Sequence, residues 1–190
     1  MTAPARITPY AHPGSSGHIN LVQGEYAISG DPDVAMTTIL GSCVAACMRD
    51  PRAGVGGMNH FLLPGALVGK SDGVERGVHA MELLINELLK AGARRDRLEA
   101  KIFGGARMMK NLSDIGAKNA SFATDFLRQE GIPVIGGSTG GETARRIRFW
   151  PATGKAQQRI MGQSESHVFA RELSIAATPV TTPGDDVEFF

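Results

Sequence analysis

The chain has 190 residues, 42% of them hydrophobic, and a formal net charge of +1. This length and composition fit one globular domain with terminal extensions better than two domains. The balanced charge argues against a nucleic-acid surface or an electrostatic membrane anchor, since both concentrate Lys and Arg. No hydrophobic run approaches the roughly 20 residues that span a bilayer, and the N-terminus lacks the apolar segment of a secretory signal. We therefore expect a cytoplasmic protein.

The two ends of the chain differ from its middle. Residues 1–18 are rich in Pro, Gly, Ser and His, and residues 177–190 have a similar composition. Such segments bury too little apolar surface to fold by themselves. The sequence thus predicts a disordered N-terminal tail, a single domain over 19–176, and a flexible C-terminal tail.

The first half of the domain is predicted to be mostly strand. Alternating and β-branched residues indicate strands at 19–28, 36–40, 42–49 and 54–63. The last two are joined by Asp50-Pro51, which is typical turn chemistry. A glycine-containing loop is expected at 64–73.

The second half mixes helices with strands. Helical spacing of apolar residues predicts helices at 75–91, closed by Gly92, and at 115–130. Strands are expected at 98–103 and 132–135, with a hairpin formed by 143–150 and 155–161. This order is not a regular alternation of strand and helix, so it predicts an α+β fold with helices packed on mixed β-sheets.

Cys43 and Cys47 are the only cysteines. On one strand their Cα atoms would be about 13 Å apart, whereas a disulfide needs about 7 Å or less. We therefore interpret both as free thiols. Cys47 is most simply a small buried hydrophobic residue, and a zinc site with His60 would lack a matched second pair of ligands.

The hairpin can bring a thiol and an imidazole together. A turn centred between Pro51 and Arg52 places Cys43 opposite His60, on the same face of the ribbon. A neighbouring imidazole can take the thiol proton and yield a thiolate–imidazolium pair. A third group usually orients the imidazole, and Thr37, Thr38 and Ser42 are the nearby hydroxyls.

Two other interpretations of these residues remain open at this point. Both cysteines can be inert core residues, as most buried cysteines are. The glycine-rich segments 104–110 and 136–146 invite a nucleotide-binding interpretation, but they lack the spacing of a phosphate-binding loop. Tight turns close to a substrate fit these segments better.

Several segments resemble the CheD family of chemoreceptor glutamine deamidases. The most specific is TTILGSCVAACMRDPRAGVGGMNHFLLP at 37–64. Further matching segments, in the same order, are GEYAIS at 24–29, LEAKIFGGARMM at 98–109, IGAKNA at 115–120 and STGGETARRIRF at 138–149. The resemblance covers about residues 19–162.

This resemblance implies a Cys–His–Thr catalytic set without metal or cofactor. Cys43 matches the nucleophile and His60 matches the histidine. The family threonine stands six residues before the cysteine, which selects Thr37 over Thr38. The implied fold resembles cysteine hydrolases of the deamidating-toxin type. Arg76 departs from the family, which often has an aromatic residue near this point.

The resemblance also implies substrates and partners. The expected substrates are particular glutamines on the cytoplasmic domains of chemoreceptors, converted to glutamate. A receptor methylesterase side activity and a CheC-type CheY phosphatase as partner are further implications. The rival hypotheses are another cysteine hydrolase, such as a protease or transglutaminase-like enzyme, and a non-catalytic adaptor.

Overall fold

The structure is a computed structural model that describes residues 17–63, 70–108 and 114–162, without the side chains of residues 70–73. Within these residues the chain forms nine strands and two α-helices. The strands are β1 His18–Asn20, β2 Tyr26–Ser29, β3 Ala35–Leu40, β4 Val44–Asp50, β5 Val55–Asn59, β6 Glu99–Gly104, β7 Val134–Thr139, β8 Arg145–Trp150 and β9 Lys155–Ile160. The helices are α1 Lys70–Lys90 and α2 Ile115–Gln129. The predicted α+β class is confirmed.

The described strands form two mixed sheets. A five-stranded sheet has the order β2-β5-β4-β6-β7, and a four-stranded sheet has the order β1-β3-β8-β9. Each contains one parallel pair, β6 with β7 and β1 with β3, while the other pairs are antiparallel. The chain passes between the sheets at the β1–β2, β2–β3, β3–β4 and β7–β8 connections, and the first and third of these crossings carry residues of the site described below.

The molecule has three layers because the five-stranded sheet is apolar on both faces. One face packs against both helices, through Met81, Leu84 and Leu88 of α1 and Phe126 and Leu127 of α2. The other face packs against the four-stranded sheet in a second cluster. This inter-sheet core contains Leu21, Ala27, Met36, Leu40, Cys43, Ala45, Cys47, Met58, Phe103, Ile147 and Phe149.

Several predicted elements are confirmed with different bounds. Helix α1 is helical from Lys70, so the predicted loop at 64–73 is wrong for residues 70–73, and 64–69 lie outside the described residues. Gly92 ends α1 as predicted, with φ +98 and Ala93 N–H bonded to Leu88 O at 3.0 Å. Strand β7 runs on through the glycines to Thr139, because it pairs in parallel with β6.

The predicted continuous strand at 19–28 is wrong. The segment forms β1 in the four-stranded sheet and β2 in the five-stranded sheet, separated by residues 21–25, which we call the β1–β2 loop. Gly24 has φ +90, a conformation that strands do not use. An exposed stretch at residues 22–24 separates the two halves, but only the tertiary structure shows that they join different sheets.

The predicted tails lie almost wholly outside the described residues. His18 is an exception, because it is the first residue of β1 and pairs with Ala35, although the sequence placed it in the tail. The folded domain therefore begins at least one residue earlier than predicted. Among the described residues, no helix is long and apolar enough to cross a membrane.

The β4–β5 hairpin is confirmed, but its register differs from the prediction by two residues. Cys47 pairs with Met58, and Val44 forms a bridge with Phe61. The predicted turn centre was one residue too early, because Gly54, at φ +66, lengthens the turn. A two-residue shift preserves the faces, since side chains alternate with a period of two.

Candidate active site

Cys43 lies at the crossing between the two sheets. It follows Leu40, the last residue of β3, and precedes Val44, the first residue of β4. Its side chain points into the inter-sheet core and the residue is 2% exposed. The backbone around it is held tightly: Gly105 N–H donates to Cys43 O and Ala106 N–H donates to Gly41 O, each at 2.8 Å.

Asn119 and Gly104 also support the backbone at Cys43. Buried Asn119 of α2 donates from Nδ2 to Ser42 O at 2.8 Å. Gly104 packs so closely that a Cβ there would overlap the carbonyl oxygen of Cys43, and its φ of +105 disfavours other residues. The glycine pair after β6, expected from sequence to be a tight turn, thus supports the cysteine backbone.

Arg145 of β8 extends the support to the loop after β7. Its guanidinium donates to Ser138 O at 2.8 Å, to Ser138 Oγ at 3.0 Å and to Gly140 O. Gly140 N–H in turn donates to Gly104 O at 2.9 Å. Burial lowers the pKa of Arg145, which is 3% exposed. Hydrogen bonds therefore connect Arg145, the loop after β7 and the glycine pair after β6 in series to the backbone of Cys43.

His60 follows directly after β5 and is 5% exposed. Its backbone is paired with the β1–β2 loop: His60 N–H donates to Glu25 O at 2.9 Å, and Gly24 N–H donates to His60 O at 2.7 Å. The observed register makes His60 a diagonal neighbour of Cys43 on the same face. Diagonal Cβ atoms are about 7 Å apart or less, which side-chain movement can span.

Thr38 of β3 holds the imidazole from the opposite sheet. Its Oγ1 donates to Leu21 O at 2.8 Å and lies 2.8 Å from His60 Nδ1. Because the hydroxyl has one hydrogen, already given to Leu21, it accepts at His60, and Nδ1 carries the proton. His60 Nε2 is left as an acceptor, and this buried atom has no partner within the described part of the chain.

The prediction that Thr37 makes this hydrogen bond is wrong. Consecutive residues of a strand point to opposite faces. Thr38 pairs with Ile147, a residue of the inter-sheet core, whereas Thr37 pairs with exposed Arg148. Thr37 contributes through its backbone instead, since its carbonyl accepts from Leu21 N–H at 2.9 Å.

Burial favours the electrically neutral forms of the Cys43 and His60 side chains. Burial raises the pKa of Cys43 to about 12, although its own backbone N–H acts in the lowering direction. Burial lowers the pKa of His60 to about 4, against a raising contribution from Leu21 O. A thiol and a neutral imidazole are therefore the resting forms at pH 7. The thiolate–imidazolium pair expected from the sequence is not the resting state.

Gln23, at the tip of the β1–β2 loop, is a site residue that sequence reasoning missed. The Cys43 thiol donates to Gln23 Oε1 at a distance of 3.5 Å. The sequence placed Gln23 inside a continuous strand, so it had no signal that could bring this side chain to the cysteine. The glycine that follows it was the available hint of a turn.

Cys47, which belongs to the same inter-sheet core as Cys43, and Arg76 are the remaining residues that the sequence singled out. Cys47 is 1% exposed, and burial raises its pKa, as expected for a core thiol. Both cysteines are free. Arg76 is exposed on α1. Across residues 17–63, 70–108 and 114–162, no group of three His, Cys, Asp or Glu side chains is placed to hold a metal ion.

Fold and site together define a class: an α+β protein whose two sheets enclose a histidine oriented by threonine beside a buried cysteine. Residues 63–160 match the family described as CheD chemotactic sensory transduction. A probable chemoreceptor glutamine deamidase CheD from Agrobacterium fabrum is 55% identical over 176 residues, covering 90% of this chain and 96% of that protein. The chain belongs to the CheD family.

Two further proteins are similar to this chain. The protein of the same name from Caulobacter vibrioides (strain NA1000 / CB15N) is 52% identical over 183 residues, covering 94% of this chain and 98% of that protein. Among solved structures, the hypothetical protein YfiH of Bacillus licheniformis aligns with a TM-score of 0.42 and 14% identity, covering 60% of this chain and 49% of that one.

Proposed function

We propose that this protein is a chemoreceptor glutamine deamidase that acts in chemotaxis, with Cys43 as nucleophile and His60 as base. The names of its relatives, which match nearly the whole chain, support the activity and the receptor substrate. The observation that carries the residue assignment is the Thr38–His60 hydrogen bond. It leaves Nε2 as a buried, unpartnered acceptor on the same face as Cys43.

The first half of the reaction forms a tetrahedral intermediate, which becomes a thioester when ammonia leaves in the second half. The thiol sulfur attacks the γ-carboxamide carbon of a receptor glutamine while His60 Nε2 takes the thiol proton. Proton transfer during attack is needed because the resting thiol is neutral. The backbone N–H of Cys43, which already lies beside the sulfur, is the proposed donor to the oxyanion.

The second half releases the products. Protonated His60 gives its proton to the departing nitrogen, so the C–N bond breaks and ammonia leaves. His60 then removes a proton from a water molecule, which attacks the thioester and frees glutamate and the thiol. One water is consumed and one ammonia is formed for each glutamine, and no metal or cofactor enters.

Further features of the family resemblance belong to the same proposal. A receptor methylesterase side activity would use the same thioester, with methanol leaving instead of ammonia. A CheC-type phosphatase is proposed as a second partner. Thr37, the family threonine, is proposed to act through its backbone hydrogen bond to the β1–β2 loop, while Thr38 orients His60.

The test uses purified receptor cytoplasmic domains. We expect the full-length protein to release ammonia and to raise the mass of receptor peptides by about one dalton per modified glutamine. Cys43→Ala abolishes both, whereas Cys47→Ala, a matched change of the other buried thiol, retains them. Deamidation by the Cys43→Ala protein would contradict the mechanism. Cleavage of receptor peptide bonds would favour a protease, and binding without any mass change would favour an adaptor.

A further inference from the structure

The nucleophile is covered by a side chain that carries the same functional group as the proposed substrate. Cys43 is 2% exposed, while Gln23, in contact with its sulfur, is exposed to solvent. The contact joins the thiol to the carboxamide oxygen Oε1 at 3.5 Å. A primary carboxamide is therefore already present at the nucleophile before any substrate arrives.

The β1–β2 loop holds Gln23 in this place. Glu25 N–H donates to Val22 O at 3.1 Å, and Val22 N–H donates to Glu25 Oε2 at 3.0 Å, which closes a tight turn around Gln23. The next residue, Gly24, donates from its N–H to His60 O at 2.7 Å. The loop that presents the carboxamide is thus anchored to the backbone of His60.

We propose that Cys43 and the β1–β2 loop form a binding site for a primary carboxamide, and that Gln23 is its resident occupant. An incoming glutamine side chain must displace Gln23 to reach the sulfur. The identity of that incoming group rests on the proposed function, whereas occupancy by Gln23 does not. Hydrogen bonding to Oε1 also favours the protonated thiol, so displacement both uncovers and activates the nucleophile.

The first experiment measures the rate of Cys43 alkylation by N-ethylmaleimide, which carries no primary carboxamide, in the full-length protein. Gln23→Ala should accelerate the reaction about fivefold, the effect expected from one net hydrogen bond. Asn20→Ala, which removes another exposed amide from the same segment, should leave the rate unchanged. Equal rates in the Gln23→Ala and wild-type proteins would overturn the proposal.

A second variant tests whether Gln23 protects Cys43 through its carboxamide hydrogen bond or only through the bulk of its side chain. Gln23→Leu keeps the size of the side chain but lacks the acceptor, so we expect it to react as fast as Gln23→Ala. A Gln23→Leu protein that stays as slow as wild type would overturn the proposal, because bulk alone would explain the protection.

The binding arm uses N-acetylglutamine N-methylamide as the probe, because its side chain is then its one primary carboxamide. It should slow Cys43 alkylation at lower concentration in Gln23→Ala than in wild type, because no resident group competes. N-acetylglutamate N-methylamide should protect less well, since it shares the backbone groups but has no primary carboxamide. Equal protection by both probes, or by neither, would overturn the carboxamide site. Alkylation needs no turnover, so these results are separate from failure of the deamidase assay.

Discussion

The single hydrogen of the Thr38 hydroxyl decides how His60 can react. Because Leu21 O takes that hydrogen, Thr38 receives the proton of Nδ1, and Nε2 is left with a lone pair and no hydrogen-bond partner among the described residues. A histidine in the other tautomer would present an N–H donor to the thiol and could not take its proton. Thr38 is therefore a positioning residue for the proposed base.

Replacing the two adjacent threonines should separate their roles. Thr38→Val, which keeps the shape but removes the oxygen, should lower kcat about tenfold or more with little change in KM. Thr37→Val should change kcat little, because Thr37 acts through its carbonyl. Receptor deamidation kinetics provide the measurement, and Thr38→Ser should restore the rate.

The opposite pattern, with Thr37→Val inactive and Thr38→Val active, would mean that the family threonine contacts His60 in the working enzyme. Loss of kcat in both variants with no rescue by Thr38→Ser would mean that the strand tolerates neither change.

The pKa of Cys43 gives a second prediction at this scale. Because burial raises it to about 12, no thiolate should form at Cys43 from about pH 6 to about pH 9, where an ordinary cysteine begins to ionise. Ultraviolet thiolate absorbance, compared between the wild-type and Cys43→Ala proteins, should show no difference over this range. A thiolate at neutral pH would contradict the neutral resting pair.

Among the elements, the β4–β5 hairpin is fixed to the loop before β6 by a buried carboxylate. Asp50, which is 0% exposed, accepts at Oδ1 from the backbone N–H groups of Arg52 and Ala53 in its own turn. Its Oδ2 accepts from Arg94 N–H at 2.9 Å and from Arg97 at 2.7 Å. The hairpin that carries His60 is thereby pinned at its far end.

Asp50→Asn should reduce the free energy of unfolding at pH 7 by about 3 kcal/mol, because Arg97 loses its buried partner. Although burial raises the pKa of Asp50, its hydrogen bonds, first that of Arg94 N–H, outweigh this and lower it to about 2. The unfolded value is near 3.9. The carboxylate's contribution is thus complete above about pH 4 and is lost as pH falls towards 2.

Urea denaturation across this pH range checks the prediction. The wild-type protein should lose stability more steeply than Asp50→Asn between about pH 4 and pH 2, so that the two curves converge in acid. Parallel curves would mean that Asp50 is not ionised or not stabilised in the folded protein.

At the scale of the whole molecule, the two sheets are joined by polar contacts as well as by the apolar core. Thr38 reaches from the four-stranded sheet to His60, and Arg145 reaches from the same sheet to the loop that follows β7. Thr38 contacts the proposed base, and Arg145 holds the loop that supports the backbone of the proposed nucleophile. Stability and activity should therefore be coupled through the inter-sheet contacts.

Arg145→Lys tests this coupling. Lysine keeps the charge but lacks the forked donors that reach Ser138 and Gly140, so the free energy of unfolding should fall by about 2 kcal/mol. Deamidation should fall with it, because the loop supporting Cys43 loses its anchor. Arg146→Lys, an exposed change on the same strand, is the control and should alter neither. Full activity in a clearly destabilised Arg145→Lys protein would show that the two properties are independent.

The sequence by itself determined the fold class, both helices and most of the strands, and it predicts the pairing of the Cys43 thiol with the His60 imidazole. Helical spacing located α1 and α2, and turn chemistry located both hairpins, because these signals are local. The two-residue error in the β4–β5 register left Cys43 and His60 on the same face of the hairpin, because side chains alternate between faces with a period of two. The order of the motifs was enough to indicate the CheD family.

Only the tertiary structure decided which groups surround that pair. Thr38 replaced Thr37 because the choice depends on which face of β3 meets the other sheet, and no local pattern records that. Gln23 reached Cys43 because the chain crosses between sheets at the β1–β2 loop, a crossing that no local pattern specifies. The neutral charge state likewise arises from burial between two sheets distant in sequence. Local pattern specifies elements, whereas contacts between sheets specify the chemistry of the groups they enclose.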